Sequence, residues 1–264
     1  MSFFLGVLAL MAILEALLPR RRRQIPRVIR WSNNFALVVL DSMLLNLCFP
    51  LLAVAMAALA MENQWGLFNQ IEVPLLVAVL VSIVLLDLAI YLQHVLFHIV
   101  PPLWRLHRVH HTDLDFDVTT GIRFHPIEIL LSMGIKLLLV ILLGPPVVAV
   151  LIFEVILNAS AMFNHSNLKL PLALDSLLRR IVVTPDMHRV HHSVIVKETN
   201  SNYGFFLPWW DQLFGTYIDQ PENGHEGMTI GISEFRAREE ARLDKMLLQP
   251  LKSGSTPTQG ETYD

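Results

Sequence analysis

Long apolar runs constrain this chain more than any other feature. Residues 2–19, 32–61, 73–98 and 126–161 are each predominantly apolar, and about 20 such residues cross the ~30 Å hydrocarbon core of a bilayer as a helix. Of the 264 residues, 53% are hydrophobic and only 16% are charged, which is too apolar for an ordinary soluble domain. The sequence therefore predicts an all-α, polytopic membrane bundle of about four or five membrane helices.

Two further counts exclude whole classes of protein. The net charge is −3, so nothing suggests a nucleic-acid partner. Cys48 is the single cysteine, which rules out an internal disulfide and thiolate metal sites. The first apolar run contains Glu15 and has neither the basic start nor the small-residue cleavage site of a signal peptide, so we expect it to be a retained helix.

Charge asymmetry predicts the orientation in the membrane. Residues 20–30 contain six arginines and no acid, whereas residues 62–72 contain acids and no Lys or Arg. The positive-inside rule then places 20–30 in the cytoplasm and 62–72 outside. The run 126–161 is interrupted by "GPP" at 144–146 and is expected to form a helical hairpin, spanning or re-entrant, whose two ends emerge on the cytoplasmic side.

Ten of the eleven histidines lie between residues 94 and 192. The predicted topology places them near the cytoplasmic ends of the helices. "HVLFH" occupies 94–98, and the pentapeptide "HRVHH" occurs at both 107–111 and 188–192. Histidines four apart share one face of a helix, and adjacent ones diverge by about 100°. Eight imidazoles exceed the needs of one ion but suit two ions such as iron, zinc, copper or nickel. The alternative for any single histidine is an ordinary polar residue near a membrane surface.

These boxes, taken in order with their surroundings, resemble the fatty acid hydroxylase and sterol desaturase superfamily. The resemblance covers roughly residues 75–218 and includes "DLAIYLQHVLFH", "TTGIRFHPIE", "NHSN", "TPDMHRVHHS" and "NYGFFLPWWDQLFGTY". It implies a membrane-bound oxygenase with two iron ions, zinc being a substitute, that uses dioxygen to hydroxylate or desaturate a lipid. The implied metal ligands are His94, His98, His107, His110, His111, His165, His188, His191 and His192.

Three details of the resemblance stay open. Some members have a second histidine four residues after the one matched by His165, and here that position is Lys169. His125 is either a further ligand or a residue that supports a ligand from the start of the helix that begins at Pro126. The substrate remains a sterol, a fatty acyl chain or a related lipid.

Other polar residues are expected to support the ligands or line a substrate channel. Asp87 and Tyr91 share a helix face with the first histidine box, and an acid within a span is costly unless it faces a site. Glu154 and Asn158 share a face with His165. The full set of expected supporting or channel residues is Asp87, Tyr91, Glu128, Glu154 and Asn158. The segment containing Asn202, Tyr203, Trp210 and Asp211 is expected to pack as a cap over the metals, and His225 is expected to be solvated.

The chain is thereby divided into three parts. Residues 1–72 form N-terminal membrane helices, 73–220 form the catalytic domain, and 221–264 contain an amphipathic cytoplasmic helix over 233–249 followed by a disordered tail. The resemblance implies a lipid substrate from the bilayer and a separate electron donor: a ferredoxin, a b-type cytochrome with its reductase, or a pterin. The expected location is a bacterial inner membrane with the active site on the cytoplasmic side. The competing hypotheses are a membrane metal carrier and a zinc-dependent lipid hydrolase.

Overall fold

The computed structural model describes residues 2–254, which form a helical bundle capped at one end. Within that range no extended strand occurs, and two isolated β-bridges join loops. The helices are α1 Ser2–Leu17, α2 Arg27–Cys48, α3 Ala53–Glu62, α4 Leu75–Ile99, α5 Pro101–His111, α6 Pro126–Leu143, α7 Val147–Asn164, α8 Leu172–Leu178, α9 Pro185–His191, α10 Val196–Thr199, α11 Trp209–Phe214, α12 Gly224–Gly227 and α13 Leu243–Leu248.

The predicted all-α polytopic bundle is confirmed. Four segments are long and apolar enough to cross a membrane, namely Arg27–Asn69, Leu75–Ile99, Pro126–Leu143 and Val147–Asn164. A shorter apolar helix, Phe3–Leu17, accompanies them. These segments agree with the four or five membrane helices that the hydropathy of the sequence predicts.

The second apolar run contains a break that hydropathy does not show. Instead of one helix over 32–61, α2 starts earlier, at Arg27, and ends at Cys48 before Pro50, while α3 starts at Ala53. Proline lacks the N–H that a continuing helix needs and restricts the residue before it. The small residues Ala53 and Ala57 then pack α3 closely against α6 and α7.

The predicted hairpin is formed by α6 and α7, with its tight turn far from the histidines. Gly144 ends α6 in the left-handed conformation, with φ of 60°, and α7 starts just after Pro146. The loop after α3 packs on this turn so closely that a Cβ on Gly66 would lie 2.2 Å from the Gly144 nitrogen. Both loops therefore meet at one end of the bundle, and the ends of α4 and α7 that carry histidines lie at the other.

Glu15, the one acid of α1, is buried at the histidine end. Its carboxylate accepts hydrogen bonds from the backbone N–H groups of Val118 and Asn167 at 3.0 and 3.1 Å. It also pairs with Arg27 at 3.0 Å. The acid therefore ties α1 to the loops of the cap, which satisfies an otherwise costly buried charge.

The C-terminal segment differs from the single amphipathic helix expected over 233–249. Arg242 is extended, with ψ of 145°, and only the six-residue α13 follows it, flanked by short 3-10 helices. The backbone N–H of Leu243 donates to the Asn33 side chain at 2.8 Å, and Met246 packs against Leu37 and Val109. These anchors on α2 and α5 hold the segment in a broken path over the cap. Of the tail expected to be disordered, residues 255–264 lie outside the described residues.

Candidate metal centre

Nine buried histidines meet at the capped end of the bundle, and these are the nine that the resemblance implies as ligands. They come from the end of α4, from α5, from the residue after α7, and from α9 with the residue that follows it. Their ring nitrogens form two groups, each with its ligand atoms within 4.8 Å of one another. The first group is His94, His98, His107, His111 and His191, and the second is His110, His165, His188 and His192.

The two copies of "HRVHH" divide between these groups in the same way. In each copy the first and fifth residues join one group and the fourth joins the other. His107 and His111 thus lie with His191, whereas His188 and His192 lie with His110. The cause is helical geometry, since residues four apart share a face and the fourth and fifth residues diverge by about 100°. The ring centroids of His111 and His192 are 4.6 Å apart, so the groups adjoin.

Hydrogen bonds from Nδ1 to acceptors of the protein orient at least five of the nine rings. Each of these five Nδ1 atoms faces an acceptor: the carbonyl oxygens of Tyr203, Arg123, Ala161 and Ser201 for His94, His110, His165 and His191, and the Glu128 carboxylate for His107, at 2.7–3.2 Å. A carbonyl oxygen can only accept, so Nδ1 carries the proton and Nε2 keeps its lone pair. Ligands of a metal are oriented in this way by the groups around them.

The Nε2 lone pairs of several of these histidines point toward one another within each group. The Nε2 atoms of His94 and His107 are 3.1 Å apart in the first group. In the second group, His165 Nε2 is 3.1 Å from His110 Nε2 and 3.0 Å from His188 Nε2. Neighbouring ligands about 2.1 Å from one ion lie roughly 3 Å apart, so this spacing fits two nitrogens of a shared metal.

Burial keeps these rings neutral. It lowers the pKa of both His107 and His165 to about 3, and it lowers the pKa of His192 well below its ordinary value of 6.5. A neutral imidazole is the form that binds a metal. The Nε2 atoms of His111 and His191 and both ring nitrogens of His192 are buried without a hydrogen-bond partner. Such orphaned nitrogens are rare unless an ion binds there, so the donor set fits two metal ions.

Glu128 and His125 occupy different positions although they are only three residues apart. The Oε1 atom of Glu128 lies 2.7 Å from His107 Nδ1 and supports that ring. His125 belongs to neither histidine group. Its Nδ1 accepts the Ile127 N–H at 3.2 Å as the N-cap of α6, and its Nε2 lies 3.3 Å from the Leu247 carbonyl oxygen. The geometry therefore favours a helix cap at His125 over a further ligand.

Asp87 and Tyr91 lie on the expected face of α4 but contact the cap. The Asp87 carboxylate accepts from Trp210 Nε1 at 2.8 Å and from the Leu207 N–H at 3.2 Å. Tyr91 Oη is 2.9 Å from Thr216 Oγ1. Asp87 was expected to accept a hydrogen bond from an imidazole N–H. It instead accepts from α11 and from the loop before it, which pack onto its carboxylate.

That loop also positions His94. Asp211 accepts the backbone N–H groups of Tyr203 and Gly204, both at 2.8 Å, and the Tyr203 carbonyl oxygen faces His94 Nδ1. Asn202 donates to the Met187 and Ile218 carbonyl oxygens at 2.8 Å. The segment expected to cap the histidines thus covers them. His225, expected to be solvated, is instead 4% exposed and lies 3.5 Å from Asp186.

The arginines of residues 20–30 have a structural role that the sequence did not reveal. Arg30 is fully buried, and its guanidinium bonds Asp113 and Asp117 at 2.6 Å. Arg20 pairs with Asp186 at 3.1 Å. A run of basic residues usually signals a solvated loop, and only the alternating acids of "DLDFD" at 113–117 hint that this one has buried partners.

A cavity of about 790 Å³ reaches the histidines from the bundle. His94, His107 and Glu128 line its inner end. Leu5, Val39 and Met43 line it as well and are more than half exposed, so it opens on the outer surface at α1 and α2. Residues of α4, α6 and α7 form the other walls of the cavity.

Glu154 and Asn158 line this cavity without contacting His165. Glu154 pairs with Lys136 of α6 at 2.7 Å, and the Asn158 side chain donates to the Glu154 carbonyl oxygen at 2.8 Å. The expected support of His165 by Glu154 is therefore replaced by the carbonyl oxygen of Ala161. Lys169, at the position where some members have a second histidine, is exposed.

Fold and site together define a helical membrane protein with a buried histidine centre that can hold two metal ions. The family model of fatty acid hydroxylases matches residues 79–216, which include all nine histidines. The chain belongs to the fatty acid hydroxylase family.

Individual relatives are similar over different lengths. Ornithine lipid hydroxylase OlsE of Rhizobium tropici is 30% identical over 227 residues, which cover 83% of this chain and 66% of that protein. Alkylglycerol monooxygenase of Xenopus tropicalis is 31% identical over 152 residues, and the human protein is 29% identical over 154; both matches cover 56% of this chain. The chain spans 32% of the length of each monooxygenase. No solved structure matches the chain significantly.

Proposed function

We propose that this protein is a membrane di-iron lipid hydroxylase. It would convert a C–H bond of a lipid to C–OH with dioxygen, two electrons and two protons, releasing water. The observation that carries the proposal is the pair of adjoining groups of neutral, buried imidazoles at the inner end of an apolar cavity. Two iron ions bound there would supply the reductive activation of dioxygen, a chemistry that protein side chains do not perform unaided.

The chain's own residues divide the remaining work. The groups of five and four histidines hold the metals, and Glu128 with four backbone carbonyl oxygens keeps the rings oriented. The cavity holds the lipid chain and brings one carbon next to His94 and His107. Burial of all nine rings excludes bulk water, which would otherwise compete for the metals and quench the oxidant.

The choice of hydroxylation over desaturation rests on the relatives. Both kinds of relative are named for oxygen insertion, one as a hydroxylase and one as a monooxygenase. The opening of the cavity at α1 and α2 supports entry of the lipid from the bilayer. The arginines of residues 20–30 lie at the histidine end, which favours a cytoplasmic active site by the positive-inside rule. Electrons would come from a separate ferredoxin, from a b-type cytochrome with its reductase, or from a pterin.

Metal analysis and oxygen consumption test the proposal together. The full-length protein, purified in a mild detergent, is expected to contain about two irons per chain and to take up oxygen when a reductant and a lipid extract are supplied. His192→Ala should lose iron and oxygen uptake. His225→Ala should retain both, because His225 is also buried but lies outside the two groups.

A zinc hydrolase and a metal carrier would give different metal contents and oxygen uptake. A single zinc per chain without oxygen uptake contradicts the proposal and favours a zinc hydrolase. Metal that exchanges freely across vesicles without oxygen uptake favours a carrier. Lipid profiling of a deletion strain should show loss of a lipid that is heavier by one oxygen atom than its precursor.

A further inference from the structure

The cavity has a polar wall within the membrane-spanning part of the bundle. Asp41 of α2, Gln93 of α4, Ser132 and Lys136 of α6 and Glu154 of α7 all line it. A cavity that held only a hydrocarbon chain would not need these groups, since polar side chains in a membrane are costly and usually mark a function. Their place along the cavity indicates that a polar part of the ligand lies there.

Asp41 is a carboxylate of this wall that has no cationic partner in the described part of the chain. Lys136 is already paired with Glu154 at 2.7 Å, and Glu128 faces His107. Within residues 2–254, no Lys or Arg side chain forms an ion pair with Asp41, although the residue is only 7% exposed. Its Oδ1 is buried and has no hydrogen-bond partner. Asp41 therefore has an open acceptor at the wall of the cavity.

The position of Asp41 along α2 places it at a distance from the histidines. Arg30, Asn34, Leu37 and Asp41 are the buried residues of this helix and recur at helical spacing. The Asn34 side chain donates to Thr119 Oγ1 at 3.1 Å, in the loop next to the histidine groups. Asp41 lies seven residues further on, about 10 Å along the helix axis.

We infer that Asp41 binds the protonated amino group of a lipid, so that the substrate belongs to the amine-bearing membrane lipids. This rests on the proposed function and specifies its substrate class. A buried carboxylate stays ionised only with an opposite charge or hydrogen-bond donors beside it. The described part of the chain provides no cation for Asp41, and the ammonium group of a ligand would supply one. An anionic group in the same place would meet the carboxylate of Asp41 and would lie near that of Glu128. Binding of the amino group fixes the lipid along the cavity and selects which carbon reaches the histidines.

Binding of a matched set of long-chain probes tests the inference. Octadecylamine, octadecanol and octadecanoate share one chain and differ in the terminal group. Each is titrated into the purified full-length protein in a neutral detergent and followed by calorimetry. The wild type is expected to bind the amine at least about tenfold more tightly than the alcohol, as for a charge pair shielded from water.

Three variants isolate the carboxylate. Asp41→Asn should reduce the preference for the amine to about twofold or less, while Asp41→Glu should keep part of it. Asp244→Asn removes the same charge from an exposed position at the surface and should leave the preference unchanged. Equal binding of amine and alcohol by the wild type would overturn the inference, as would tighter binding of octadecanoate or a preference that survives in Asp41→Asn.

The outcome is separable from the test of the reaction. Two irons and oxygen uptake without a preference for the amine would reject the role of Asp41 and leave the hydroxylase intact. A preference for the amine in a protein that binds one zinc and takes up no oxygen would reject the hydroxylase and keep the amine site.

Discussion

Gly121 lies where a single methyl group should disturb one of the two histidine groups and spare the other. A Cβ at this position would be 2.5 Å from the Ala161 carbonyl oxygen and 3.1 Å from His165 Nδ1. The same oxygen accepts the His165 Nδ1 hydrogen at 2.8 Å. The first contact is about 0.9 Å shorter than an ordinary contact of 3.4 Å. Gly121→Ala must therefore displace the carbonyl group that orients His165.

This displacement should reduce both the stability of the protein and its affinity for metal. Overpacking a well-packed interior typically destabilises by about 1–3 kcal/mol. Loss of a group that orients a ligand typically weakens metal binding about 10–100-fold. Because His165 belongs to the group of four, we expect Gly121→Ala to retain the ion held by the group of five and to lose the other. Iron per chain should fall from about two toward one, with a lower temperature of unfolding.

Gly134→Ala provides the control. Gly134 lies inside α6, and a Cβ added to it would meet no atom within 4 Å. Alanine should stabilise the helix there by about 0.5–1 kcal/mol and leave the metal content unchanged. Elemental analysis of the purified variants and thermal unfolding of their metal-free forms provide the readouts. If Gly121→Ala keeps two irons and unfolds like the wild type, the orienting role of the Ala161 carbonyl oxygen is refuted. If it loses both irons, the assignment of His165 to a separate site is refuted.

Three further outcomes follow from the same geometry. Glu128→Ala should weaken metal binding about 10–100-fold in a chelator competition, whereas Glu128→Gln, whose amide oxygen can still accept from His107, should lose less; equal losses would contradict the role of the hydrogen bond. His125→Ala should lower the free energy of unfolding by about 0.5–2 kcal/mol through loss of the α6 cap, measured by chemical denaturation, with the metal content unchanged; loss of metal would identify His125 as a ligand. Chelation should lower the unfolding temperature, and restoring metal at 100 times its Kd should return about 2.7 kcal/mol per site; an unchanged temperature would show that the histidines are stable without an ion.

The apolar spans and the gathering of histidines at one end could be predicted from the sequence because both depend on local patterns. Hydropathy located α4, α6 and α7, and the turn at Gly144 was marked by the glycine and two prolines. Hydropathy does not predict the break after Cys48, because apolar residues rich in alanine and leucine continue on both sides of Pro50. Hydropathy averages over a single proline, whereas a helix cannot continue through it without losing a backbone hydrogen bond.

The partners of polar residues could not be predicted, since they depend on segments far apart in the chain. Arg30 and Asp113 are separated by 83 residues, and Asp87 and Trp210 by 123. Periodicity indicates which face such a side chain occupies but not which segment folds against that face. Periodicity therefore predicts the face of α4 on which Asp87 lies, but not its contact with Trp210.

The repeated "HRVHH" connects the two histidine groups. Each copy contributes the histidines at its first and fifth positions to one group and the histidine at its fourth position to the other, so neither group is complete without both copies. A duplicated unit that built one site per copy would keep its three histidines together. Here the two identical sequences adopt the same helical geometry. His110 of the first copy lies with His188 and His192 of the second, and His191 of the second copy lies with His107 and His111 of the first. The two sites therefore form only when α5 and α9 meet at the same end of the bundle, which ties metal binding to the tertiary fold.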